Sequence, residues 1–172
     1  PMPPISTGIV AFFSTKRIGE GTGAEVRPAP LLFFTNAGAG KFREPAAEKK
    51  LSTPLPAVGT VFSDLDDDRD IDFLVATASG NLALYLNDRI GTFSEAAAPW
   101  GLARPGSGEG ATLADLDNDG WIDLVLPRTG WFRNQEGKGF RAEPGLVPIA
   151  GAFGSWAVDY DNDEIGRASG RE

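Results

Sequence analysis

Two stretches of the sequence carry aspartates at the same spacing, and this spacing could hold a metal ion. The first runs Asp64-Leu-Asp-Asp-Asp-Arg-Asp-Ile-Asp72, and the second runs Asp115-Leu-Asp-Asn-Asp-Gly-Trp-Ile-Asp123. Each has aspartates at relative positions 1, 3, 5 and 9, so a tight loop that turns alternate residues inward would gather several carboxylates. Calcium is a hard cation that takes about six to eight oxygen ligands at about 2.3–2.6 Å. Each stretch therefore predicts a calcium site.

Backbone groups complete the predicted sites. Trp121, at position 7 of the second loop, can offer its carbonyl oxygen, and Gly120 at position 6 permits the positive φ of a sharp turn. The first loop has Arg69 at position 6, where a positive φ is uncommon, so we expect a weaker or differently bent site. A third copy begins at 159–163 but lacks the residues needed at positions 6 and 9, and we expect that it does not close around an ion. The predicted metal-binding residues are Asp64, Asp66, Asp68, Asp70, Asp72, Asp115, Asp117, Asp119, Trp121, Asp123, Asp159, Asp161 and Asp163.

Two other interpretations of these loops stay open. An Asp-rich turn can be held by hydrogen bonds from its own backbone to its aspartates, without a metal. Magnesium could also bind, although it prefers few protein carboxylates and several waters. Two complete copies in one register, each before an apolar strand, favour calcium. We expect the ion to be structural, because it would turn the mutual repulsion of close carboxylates into a pinned loop.

The loops lie within a repeated unit of short strands. The copies at residues 64 and 115 start 51 residues apart, and the copy at 159 starts 44 residues later. In each complete unit, apolar and alternating runs predict a strand, the acidic loop, and three more strands joined by tight turns. These units span residues 58–95 and 111–143. Four antiparallel strands make one propeller blade, and a period of about 40–50 residues is typical of such blades.

The rest of the chain predicts one further blade and the start of another. Strands are predicted at 9–13, 31–35 and 41–44 with a loop over 14–30, and Ser155–Val158 is predicted to open a fourth unit. The predicted fold class is all-β, with β-propeller blades of four antiparallel strands and about three and a half blades of an incomplete propeller. We expect residues 1–163 to be this propeller fragment and residues 164–172 to be a non-native or disordered tail.

The combination of loop and hairpin resembles the FG-GAP/VCBS repeats, which are calcium-binding propeller blades related to those of the integrin α-subunit. After each acidic loop and its apolar strand comes a hairpin of the form Leu-Tyr-x-Asn-x-x-x-Gly-x-Phe, at 84–93 and in related form at 131–140. The resemblance covers roughly residues 31–163. It implies a propeller, calcium in the loops, and an extracellular, cell-surface or periplasmic location. It implies no single activity, because such repeats occur in adhesion modules, lectin-like proteins and some polysaccharide lyases.

Composition excludes several classes of function. The chain of 172 residues contains no cysteine and no histidine, which excludes thiol chemistry, zinc–thiolate sites and histidine-based catalytic triads. The net charge is -8 without a basic run, so nucleic acid is not an expected partner. No apolar run approaches the roughly 18 residues of a membrane span.

Two functions are consistent with this sequence. The first is a non-enzymatic, calcium-binding repeat module of a secreted or surface protein, which serves as a scaffold for a protein or carbohydrate ligand. The second is the propeller portion of a larger extracellular enzyme such as a polysaccharide lyase. In both cases we expect the missing propeller blades of the parent chain to be partners. Among the tryptophans, Trp121 is predicted to point outward and the others to pack between sheets.

Overall fold

The computed structural model describes residues 9–13, 16–18, 25–103, 110–152 and 154–157. Within these ranges the chain forms β-strands joined by turns, which confirms the predicted all-β class, and no helix there could cross a membrane. The strands are β1 (Ile9–Phe13), β2 (Lys16–Ile18), β3 (Glu25–Arg27), β4 (Leu31–Gly38), β5 (Lys41–Arg43), β6 (Ala57–Ser63), β7 (Asp72–Thr77), β8 (Leu82–Asn87), β9 (Phe93–Glu95), β10 (Thr112–Ala114), β11 (Asp123–Leu126), β12 (Gly130–Asn134) and β13 (Phe140–Glu143).

Two four-stranded sheets correspond to the predicted complete units. Strands β6, β7, β8 and β9 pair in chain order as one antiparallel sheet, which we call the first meander. Strands β10, β11, β12 and β13 pair in the same way as the second meander. Each acidic loop joins the first two strands of its meander. The strand order predicted from the hydrophobic pattern is therefore confirmed for both units.

The N-terminal sheet is less regular than the two meanders. Its strand order is β1–β4–β5, and a separate hairpin of β2 and β3 lies between β1 and β4 in sequence. The prediction of a loop over 14–30 was wrong, because residues 16–18 pair with residues 25–27. These short strands are mostly charged, which hides the apolar alternation that identifies a strand. Ladder hydrogen bonds come from the backbone, so the pairing itself needs no apolar side chain.

The central strand β7 is buried on both faces because sheets lie on either side of it. Phe73 and Val75 pack in a cluster shared with β4 of the N-terminal sheet, whereas Leu74 and Ala76 pack in a cluster shared with β11 of the second meander. All the residues of β7 are consequently buried. A strand that is covered on both faces reads as a continuous apolar run rather than as an alternation.

The first strands of successive sheets lie beside one another. Strand β1 contacts β6, and β6 contacts β10. The sheets therefore stack through their faces, with their first strands as neighbours. The described residues contain three such sheets, and Asp159, Asp161 and Asp163 of the predicted fourth unit lie outside the described ranges.

The predicted strand at Ser155–Val158 is wrong in its described part, because residues 154–157 form no strand. Side-chain contacts hold this segment instead of a backbone ladder. Thr112 Oγ1, on β10, donates to the Ser155 carbonyl oxygen at 2.6 Å and lies 2.8 Å from the Ser155 hydroxyl oxygen.

Candidate metal centre

The first aspartate of each loop shapes the turn by accepting hydrogen bonds from the backbone. Asp64 Oδ1 accepts from the amide of Asp68 at 3.1 Å, and Asp64 Oδ2 accepts from the amide of Arg69 at 2.9 Å. In the second loop Asp115 accepts from the amides of Asp119 and Gly120 at 3.2 and 2.8 Å. This is the Asx-type turn that the alternative interpretation requires. It does not exclude a metal, because each carboxylate oxygen has a second lone pair.

The two loops follow the same backbone path. Position 4 has a positive φ in both, at 58° for Asp67 and 59° for Asn118, and position 6 has a positive φ of 74° at Arg69 and 88° at Gly120. The expectation that Arg69 would bend the first loop differently was therefore wrong. Arg69 adopts the left-handed conformation that glycine takes without strain in the second loop.

A substitution at position 6 of each loop should reveal this backbone strain. We expect Arg69→Gly to raise the free energy of unfolding by about 0.5–1 kcal/mol, because relief of the left-handed strain outweighs the greater freedom of glycine in the unfolded chain. Gly120→Ala should lower it by a similar amount, since a Cβ at Gly120 would meet no atom within 4 Å and only the backbone cost remains. Urea denaturation in calcium measures both. A neutral or destabilising Arg69→Gly would contradict the assigned strain.

The last aspartate of each loop closes the loop onto the neighbouring strands. Asp72 is 0% exposed and accepts hydrogen bonds from the amides of Leu65 at 2.9 Å and Asn87 at 2.8 Å. One carboxylate thereby joins the beginning of the loop to the end of β8. The buried position is consistent with its place at the start of β7, where the strand enters the core.

Asp123 has the corresponding role in the second loop. It is also 0% exposed and accepts from the amides of Leu116 at 3.1 Å and Asn134 at 2.8 Å. In both meanders, therefore, the aspartate at position 9 closes the loop by accepting two backbone hydrogen bonds. The sequence spacing predicted this residue only as a metal ligand.

Three aspartates of each loop converge. Carboxylate oxygens from Asp64, Asp66 and Asp72 all lie within 4.8 Å of one another, and the same is true of Asp115, Asp117 and Asp123. Among the described residues, Asp66 Oδ1 and Asp117 Oδ1 are buried without a hydrogen-bond partner. A buried, unpartnered acceptor costs about 1–3 kcal/mol, and more when it is charged. These oxygen-only donor sets fit a calcium ion, whose coordination would satisfy both orphaned oxygens.

The electrostatics of the clusters also favour the binding of a cation. Burial raises the pKa of Asp72 from 3.8 to about 6, despite hydrogen bonds from the amides of Asn87 and Leu65. Burial, followed by the charge of Asp68, raises the pKa of Asp66. The pKa values of Asp117 and Asp123 are raised by burial as well. A bound divalent cation would favour the ionised form of each carboxylate and reverse these shifts.

Asp119, a further predicted ligand of the second loop, lies outside its cluster, and the Trp121 carbonyl ligand stays a prediction. Asp119 accepts a hydrogen bond from the amide of Trp121 at 2.9 Å, and its Oδ2 lies 2.8 Å from the Arg133 guanidinium. Arg133 also pairs with Asp117 Oδ2 at 2.8 Å, which leaves Asp117 Oδ1 for the cluster. The hydrogen bond to Asp119 and the charge of Asp117 raise the pKa of Arg133.

An arginine also pairs with aspartates of the first loop, but it occupies a different position in the hairpin. Arg89, in the turn after β8, lies 3.3 Å from Asp70 and 4.0 Å from Asp68. Neither aspartate belongs to the first cluster. Spacing within the loops could not indicate these arginines, because both come from a hairpin that follows the loop in sequence.

Asn134 connects the two acidic loops and was not predicted to do so. It is 1% exposed, and its Nδ2 donates to the carbonyls of Leu65 at 2.9 Å and Ile122 at 3.1 Å. Its Oδ1 accepts from the amide of Gly137 at 2.9 Å. Asn87 holds the equivalent place in the first meander, where its Nδ2 makes a longer bond of 3.4 Å to the carbonyl of Ile71.

Trp121 and Trp156 differ in exposure from the prediction, whereas Trp100 agrees with it. Trp121 is partly buried beside Gly137, where an added Cβ would lie 2.9 Å from the indole ring. Trp100 is buried between the sheets at 6% exposure and packs on Phe140. Trp156 is the exposed tryptophan, at 89%. The predicted outward orientation of Trp121 was wrong because the turn at 134–139 covers it.

Comparison with known proteins supports the resemblance seen in the sequence. Residues 64–126 match the family described as FG-GAP-like repeat. The matching stretch runs from the first acidic loop to the strand that follows the second. No curated protein matches the chain significantly.

Proposed function

We propose that this chain, whose residues 64–126 match the family described as FG-GAP-like repeat, is a calcium-binding β-propeller module of a secreted or surface protein. It would serve as a scaffold for binding a protein or glycan ligand. FG-GAP repeats are non-catalytic repeat modules and are typical of extracellular or surface proteins. Extracellular calcium modules bind at about 10⁻⁴–10⁻³ M, which suits that setting.

The observation that carries the calcium assignment is the pair of orphaned oxygens. Asp66 Oδ1 and Asp117 Oδ1 occupy corresponding positions in two loops of the same backbone path, and both are buried without a partner among the described residues. Buried polar atoms in proteins usually have a hydrogen-bond partner, so an unpartnered oxygen at the same position of both loops supports a bound cation there. Three carboxylates per site favour calcium over magnesium, which usually keeps several waters.

The ion would have a structural role in each meander. Asp64, Asp66 and Asp72 would hold one ion, and the corresponding residues of the second loop would hold the other. When bound, the ion supplies positive charge that offsets the mutual repulsion of these carboxylates. The buried aspartate at position 9 would transmit this restraint to the third strand of the meander, through its bond to the amide of Asn87 or Asn134.

Calorimetric titration of the metal-free chain with calcium tests this function. We expect two sites, and we expect Asp115→Ala/Asp117→Ala to remove one of them and Asp64→Ala/Asp66→Ala to remove the other. Glu48→Ala is the control, because Glu48 is an exposed acid paired with Arg43 and lies outside both loops. An equal concentration of magnesium should produce little heat. Absence of calcium binding, or binding that survives all four substitutions, would contradict the proposal.

A further inference from the structure

The turn at 134–139 of the second meander packs on the acidic loop of the first meander. Gly137 approaches so closely that a Cβ placed on it would lie 2.9 Å from Asp66 Cα and 3.0 Å from the Asp66 carbonyl oxygen. Such distances leave no room for a side chain. Gly137 also has a φ of 71°, so both the contact and the backbone conformation favour glycine.

A hydrogen bond fixes the same loop from the same turn. Asn134 Nδ2 donates to the carbonyl of Leu65 at 2.9 Å, across 69 residues of sequence. The amide of Leu65 donates to Asp72 on its other side. The Leu65 residue, which lies between two aspartates of the first cluster, is therefore held at both its amide and its carbonyl.

We propose that the turn at 134–139 is a positioning element of the first metal site, although it belongs to the next sheet. The inference rests on the calcium-binding function proposed above. The close contact with Gly137 would position Asp66 for the ion. The hydrogen bond from Asn134 would position the Leu65 backbone. Groups that orient metal ligands from outside the coordination sphere typically change metal affinity about 10–100-fold when they are altered.

Reciprocity follows from this arrangement. If contact with the second meander raises the calcium affinity of the first loop, calcium must strengthen that contact by the same factor. The ion would thus join neighbouring sheets as well as close its own loop. The two loops differ at this position, because Leu116 is partly exposed where the equivalent Leu65 is 1% exposed. The two sites should therefore differ in affinity.

A pair of matched glycine substitutions tests the proposal. The starting protein is the full chain carrying Asp115→Ala/Asp117→Ala, so that only the first loop binds calcium. Gly137→Ala is then compared with Gly40→Ala, because φ is 71° at Gly137 and 72° at Gly40 while a Cβ at Gly40 meets no atom within 4 Å. We expect Gly137→Ala to weaken calcium binding about tenfold or more. Gly40→Ala should leave it unchanged within twofold.

Hydrogen exchange provides a second measurement that needs no glycine substitution. In the same starting protein, calcium should slow exchange of the Gly137 amide severalfold. The Gly38 amide is the matched reference, since it donates to Asn36 Oδ1 at 2.8 Å as Gly137 donates to Asn134 Oδ1 at 2.9 Å. Calcium should not change the Gly38 rate.

The outcomes separate the two proposals. If the starting protein binds no calcium, the assigned function fails at the first loop. If it binds calcium, but Gly137→Ala matches Gly40→Ala and calcium leaves Gly137 exchange unchanged, the function stands and the positioning role is overturned. Should Gly137→Ala fail to fold, the exchange measurement alone decides between these results.

Discussion

Calcium at about 10 mM will raise the melting temperature of this chain by about 10–20 °C above its value in EDTA. A ligand at about 100 times its Kd that binds only the folded state adds about 2.7 kcal/mol, and two independent sites would add about twice that. For a chain of this size, 1 kcal/mol corresponds to about 2–4 °C. The effect should be large because the metal-free protein buries close carboxylates, two of which have an oxygen without a partner among the described residues.

Variants and a second cation make this result specific. Asp115→Ala/Asp117→Ala should remove about half of the calcium-dependent rise, and adding Asp64→Ala/Asp66→Ala should remove the rest. Melts of the same variants in EDTA measure the metal-independent cost of the substitutions, because Asp64 and Asp115 each accept two backbone hydrogen bonds that alanine cannot replace. Magnesium at equal concentration serves as the control for ionic strength. A cooperative melt that ignores calcium in the unsubstituted chain would refute the metal assignment.

Asn134→Ala will lower the free energy of unfolding by about 3 kcal/mol in calcium. The substitution removes two hydrogen bonds from a buried side chain to the carbonyls of Leu65 and Ile122. It also leaves the amide of Gly137 without its acceptor. Each net hydrogen bond contributes about 0.5–1.5 kcal/mol, and a buried group left without a partner costs about 1–3 kcal/mol.

Asn87→Ala is the matched control for this loss. Asn87 ends β8 as Asn134 ends β12, and its own amide bonds to Asp72 as that of Asn134 bonds to Asp123. Its side chain has one long bond in a more exposed setting, so the cost should stay below about 1 kcal/mol. Guanidinium denaturation of both variants measures the difference. Equal costs would show that Asn134 stabilises its own hairpin and does not connect the two loops.

Local patterns in the sequence were enough to predict the strands and the acidic loops of the two meanders. The period-2 alternation, the apolar run at 72–77 and the Asn/Gly turns act over a few residues, and they predicted both meanders in their observed strand order. Spacing within nine residues brought three aspartates of each loop to one place. The sequence could predict these features because near neighbours in the chain determine them.

Contacts between distant segments decided the rest. Arg89 and Arg133 engage Asp68, Asp70 and Asp119, and no spacing inside the loops indicates which hairpin residue will reach them. The burial of Trp121 under a turn was equally invisible. The hairpin of β2 and β3 escaped prediction because its charged strands lack the apolar alternation on which strand prediction depends.

The sequence by itself determined a chain of repeated antiparallel strands with two acidic loops in one register, because strand periodicity and turn chemistry are local properties. Asn87 and Asn134 end equivalent strands of the two meanders. Only the tertiary structure decided that their side chains make different hydrogen bonds. Asn134 reaches Leu65 because the second meander packs on the first, and that packing depends on the shapes of two whole sheets. It is this stacking that places a turn of one sheet against the candidate metal site of its neighbour.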